Sequence, residues 1–74
     1  MHIENLVHML NQIEAFFAAE EDRDVAIEGI RNHVARFWEK RMRDRILAHL
    51  AAGGEGIGPL ARAALEHLAQ PKVA

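Results

Sequence analysis

The stretch "HVARFWEKRMRDRILAHL", His33–Leu50, decides how this chain must fold. Up to Trp38 its apolar residues continue a helical stripe, Ile27, Ile30, Val34, Phe37 and Trp38, at steps of three or four. Beyond Lys40 the phase changes, and Met42, Ile46, His49 and Leu50 define a different face. One straight helix cannot bury both faces. The spacing therefore predicts a kink or short break at Trp38–Lys40, with a third helix after it. Basic side chains crowd this corner: Arg36, Lys40, Arg41, Arg43 and Arg45 stand against Glu39 and Asp44.

Upstream, Ile3, Leu6, Val7, Leu10, Ile13 and Phe17 form one stripe of a first helix. Met9 and Phe16 lie beside that stripe, so this helix is apolar over more of its circumference than a single core contact needs. Glu4, His8, Asn11 and Ala15 mark a face expected to meet solvent. The polar run "AEEDRD", Ala19–Asp24, reads as a turn with Asp22 or Asp24 as N-cap of the second helix. Gly29 falls inside that helix, away from its apolar face, at a cost of about 1 kcal/mol relative to alanine.

Downstream, the glycines of "AAGGEGIGP", Ala51–Pro59, offer left-handed geometry to end the third helix, and Pro59 suits the first turn of a fourth. Leu60, Ala61, Ala64, Leu65 and Leu68 give that last helix its stripe, and "QPKVA" reads as a fraying tail. No strand pattern competes. The expected fold is all-α: a small bundle of three to four short helices, mostly antiparallel, in a single domain 1–74. The helices are expected near 3–18, 23–38, 40–52 and 59–69.

The chain has 74 residues, half of them apolar, and a net charge of −2. So small a domain has little interior, and a surplus of apolar side chains points to burial against a partner. The charge balance does not favour nucleic acid overall. No stretch approaches the ~18 apolar residues of a membrane span, and no basic-then-apolar leader is visible, so a soluble intracellular protein is expected.

Chemistry is scarce. Cysteine, serine, threonine and tyrosine are all absent, which removes hydroxyl and thiol nucleophiles and thiolate metal sites. The five histidines include no i, i+4 pair, and Glu4 with His8 is a ligand pair lacking a third member. A bundle of this size is expected to offer little room for a pocket of ~300 Å³. His49, on the apolar stripe of the third helix, reads as a packed, hydrogen-bonded histidine. In a continuous helix Arg36, Lys40 and Arg43 would share a face able to meet phosphates, which makes a helix-turn-helix-like nucleic-acid binder the alternative function. Against it, the cluster lacks the short polar side chains that read bases. Trp38, Arg41 and Met42 together have the composition of a protein-interface anchor, although Trp38 suits core burial equally well.

Three stretches then carry a family resemblance: "MLNQIEAFF" (Met9–Phe17), "HVARFWEKRMRDRILAHL" (His33–Leu50) and "GGEGIGPLARAALEHL" (Gly53–Leu68). In this order they resemble the delta subunit of NAD-dependent molybdenum or tungsten formate dehydrogenases. After Phe-Trp the family pattern has an acidic residue and then proline, whereas here Glu39 is followed by Lys40. The resemblance implies a non-catalytic accessory subunit of a cytoplasmic complex that oxidises formate and reduces NAD⁺, supporting its assembly or stability. It implies the larger formate dehydrogenase subunits as partners and no cofactor in this chain. The pterin-bound metal, iron–sulfur clusters and FMN would belong to those larger subunits. Self-association of the isolated chain is a further expectation. Carried over residue by residue, the resemblance places partner contacts on Asn11, Gln12, Phe16, His33, Trp38, Arg41, Met42 and Arg43.

Overall fold

The computed structural model describes residues 2–70, so most of the tail expected to fray lies outside the described residues. Four helices follow one another: α1 (Ile3–Phe17), α2 (Arg23–Phe37), α3 (Lys40–Ala51) and α4 (Pro59–Ala69). No strand occurs among the described residues.

Each boundary has a local cause. Asp22 is the residue that caps α2, its Oδ1 accepting from the backbone N–H of Asp24 at 2.9 Å and Val25 at 3.4 Å. The α2–α3 corner is a true break. Trp38 (φ −87°, ψ 136°) and Glu39 (φ −65°, ψ 155°) are both extended. Lys40 then occupies the first position of α3, the place where proline is best tolerated. No proline is needed here, because burying Trp38, 5% exposed, favours the turn. Arg43 reinforces it by donating from Nη1 to the Ala35 carbonyl (3.2 Å), a group left without an intrahelical partner at the end of α2.

The end of α3 is a Schellman motif: Gly54 N–H donates to the His49 carbonyl (2.9 Å) and Gly53 N–H to that of Leu50 (3.1 Å). Gly53 and Gly54 have φ of 122° and 65°, a region that side-chain-bearing residues rarely adopt. Arg62 braces the loop from α4, its Nη2 donating to the carbonyls of Gly53 (3.1 Å) and Gly54 (3.0 Å).

The core gathers Leu6 and Leu10 from α1, Ile30 and Val34 from α2, Ile46 from α3, and Ala61, Ala64 and Leu65 from α4. Ile57 closes it from the loop. Truncating one of the buried leucines or isoleucines to alanine removes about 2–5 kcal/mol. α4 packs chiefly against α2, and its Ala61 and Ala64 are fully buried.

Two expectations about packing are overturned, and a third position is explained. Phe37 belongs to the α2 stripe by spacing but is 71% exposed. It is the last residue of the helix, and the neighbouring Trp38, turning out of helical geometry, fills the end of the core in its place. The Phe37 ring rests instead on His33, with centroids 4.9 Å apart. The position of Gly29, which spacing leaves unexplained, has a cause in packing: a Cβ there would stand 2.7 Å from Phe17 Cδ1, so glycine lets the α1 ring seat on the α2 backbone. Asn11 does not face solvent: it is half-buried under the 56–58 segment.

Candidate partner-docking groove

α1 contributes two faces besides its core stripe, and they do different work. The first carries Asn11 and Glu14, three residues apart and therefore neighbours on the helix surface. The Asn11 amide donates from Nδ2 to the Gly56 carbonyl (2.8 Å), and its Oδ1 accepts from Gly58 N–H (3.1 Å). Glu14 Oε1 accepts from Ala61 N–H at 2.8 Å. α4 begins with Gly58 as N-cap, which has no side chain, and Pro59, which has no N–H. The cap is thus supplied by α1 from 47 residues away in sequence. A Cβ at Gly58 would overlap the Glu14 carboxyl group, so glycine here is a condition of that cap.

The second face opens a groove of about 540 Å³ between α1 and the far end of α2. Met9, Gln12, Ile13, Phe16 and Phe17 line it from α1, with His33 and Trp38 opposite. Its size exceeds the ~300 Å³ for which a bundle this small is expected to offer little room. Phe16 is 77% exposed and Met9 39%, although both are large and apolar. Phe16 packs edge-on against Phe17 (centroids 5.1 Å), which holds the ring at the groove margin. Uncovered aromatic and methionine side chains beside a few polar groups are the composition of a protein-binding surface.

Of the residues singled out from sequence, the fold brings Gln12, Phe16, His33 and Trp38 together on this groove. Asn11 spends its amide on the loop. Met42 packs half-buried against the core, and Arg43 holds the α2–α3 corner. Arg41 stands exposed on α3 and makes no ion pair among the described residues. Ile13 and Phe17 are not recognisable as groove residues from sequence, because both also satisfy the core stripe. Met9 was legible as an apolar position beside that stripe. Glu14 had no local signal, since its partner lies on α4.

No group of three or more His, Asp or Glu side chains converges among the described residues. His49 Nε2–H donates to the Glu55 carbonyl (2.8 Å), the hydrogen-bonded role read for it. The basic cluster is divided by the break after α2. Arg36 sits on one helix, Lys40 pairs with Asp44 (2.7 Å) on the next, and Arg43 turns to Ala35, so the continuous phosphate-facing row does not form. No described helix is long and apolar enough to cross a membrane.

Residues 5–65 match the family model described as NADH-dependent formate dehydrogenase delta subunit FdsD. The chain belongs to this family. The matched span contains the whole groove and the α1-to-α4 cap. No curated protein and no solved structure shows significant similarity to the chain. Membership in a family of formate dehydrogenase subunits implies larger subunits as partners.

Proposed function

We propose that this chain is a non-catalytic accessory subunit of a cytoplasmic, NAD-dependent formate dehydrogenase, docked on a larger subunit and supporting assembly or stability of the complex. The family match over residues 5–65 carries this reading. The exposed α1–α2 groove gives it a surface. In this reading the chemistry lies elsewhere: the pterin-bound molybdenum or tungsten, the iron–sulfur clusters and FMN are carried by the larger subunits. This chain contains no cysteine with which to ligate a cluster. Its contribution is covered apolar area, for which the exposed Phe16 and Met9 are the natural anchors.

Affinity purification of the tagged chain from its native host, with mass spectrometry of the bound proteins, tests the proposal. Formate dehydrogenase large subunits should co-purify with the wild type. Phe16→Asp and Met9→Asp should reduce their recovery at least tenfold while leaving the helical circular dichroism unchanged, because both side chains are exposed in the free fold. Recovery of no large subunit by the wild type would sink the accessory-subunit reading.

A further inference from the structure

We infer that the occupant of the α1–α2 groove is an amphipathic helix of a larger subunit, lying with its N-terminus toward the α1–α2 turn and its C-terminus toward the α2–α3 corner. The inference rests on the accessory-subunit reading and adds the form and direction of the partner segment.

The groove's length sets the form. From Met9 to Phe17 the α1 wall is nine residues, and their eight steps span roughly 12 Å at 1.5 Å each, which accommodates about two helical turns. Its lining is apolar apart from Gln12 and His33, too few polar groups to satisfy the backbone of an extended segment. The described residues offer no sheet edge that could pair with one. A helix satisfies its own backbone and needs only apolar anchors at i, i+3 or i+4, and i+7, which two turns supply.

The charge at the two ends sets the direction. At the Phe16–Phe17 end the chain runs at once into Glu20, Glu21, Asp22 and Asp24, with Arg23 the sole base between them. At the Trp38 end Arg36, Lys40 and Arg41 stand against Glu39, and Lys40 is taken up by Asp44, so the remaining balance is basic. Gly29, His33 and Arg36 are spaced i, i+4, i+7 and share one face of α2. Gly29 meets Phe17 and His33 lines the groove, so Arg36 continues the same row beyond it. Neither Arg36, Arg41 nor Glu21 makes an ion pair among the described residues. A helix carries partial positive charge at its N-terminus and partial negative charge at its C-terminus. The acidic end of the groove therefore favours the partner's N-terminus, and the arginine end favours its C-terminus and any carboxylates in its last turn.

The native chain has no cysteine, so single cysteines are unambiguous attachment points. Glu21→Cys and Arg41→Cys, each bearing a short photo-crosslinker, are assembled into the purified complex and the adducts mapped by mass spectrometry. Both should reach one helix of one larger subunit, within about three turns, with the residue-21 adducts N-terminal to the residue-41 adducts. Arg36→Glu should weaken retention of that subunit at least tenfold at low salt. Adducts in the reverse order, in unconnected segments, or on a second copy of this chain would overturn the inference and leave the accessory role standing. Failure of the wild-type chain to assemble with any larger subunit would overturn both.

Discussion

Replacing Glu14 by alanine tests the most consequential contact in the fold, because that carboxylate begins α4 from a different helix. Glu14 Oε1 accepts from Ala61 N–H at 2.8 Å, and Ala61 itself is fully buried. Loss of a capping side chain costs about 1 kcal/mol. The interaction of a carboxylate with a helix N-terminus adds about 0.3–1 kcal/mol, and the buried N–H left without a partner moves the total toward the upper end. Glu14→Ala should therefore lose about 2 kcal/mol, and at this chain length its Tm should fall by roughly 8–16 °C. Glu14→Gln keeps an acceptor and forfeits the charge, so its loss should be about half as large. Glu66→Ala, an exposed carboxylate of the same α4, should stay within about 0.5 kcal/mol of wild type. The decisive measurement is a double-mutant cycle with Gly58→Ala, followed by urea unfolding and far-UV circular dichroism. The new methyl group displaces the Glu14 carboxylate, so the two substitutions damage the same contact and the double variant should lose less than the sum. Additive losses, or Glu14→Ala within 0.5 kcal/mol of wild type (roughly the noise of such data), would refute the cap.

Three further substitutions probe the packing. Gly29→Ala should cost about 1 kcal/mol, because overpacking against Phe17 outweighs the gain in helix propensity. In a Phe17→Ala background the same change should stabilise by about 1 kcal/mol, and urea midpoints that fail to reverse sign would disprove the contact. Lys40→Pro should be tolerated or slightly stabilising, by less than about 1 kcal/mol, since Glu39 is already at φ −65°, ψ 155° and the exposed Lys40–Asp44 pair is worth little. A loss above about 1 kcal/mol in thermal melts would show that the α3 start is misjudged. Arg43→Ala should lose about 1–2 kcal/mol and shift the emission of Trp38, the sole tryptophan, to longer wavelength as the corner loosens. Unchanged fluorescence would mean that Arg43 does not hold the corner.

The helices and their ends were legible in neighbouring residues. Apolar spacing marked four helices, the phase change marked the corner, and Asp22, the paired glycines and Pro59 marked ends, because caps and periodicity are local properties of neighbouring residues. Half of the proposed partner residues also prove to share one groove, because Phe16 lay beside the core stripe on a helix apolar on too many sides. Tertiary structure alone decided the rest. Whether Phe37 or Trp38 enters the core depends on where the core ends, which the helical period does not record. Gly29 is a propensity defect until Phe17 seats on it. Asn11 reads as a surface polar residue, and Glu14 carries no local signal, until Gly58 and Ala61 arrive from 47 residues away, and the groove exists only once α2 returns along α1. Such contacts carry no sequence period, because they join residues whose separation along the chain is set by the path of the fold.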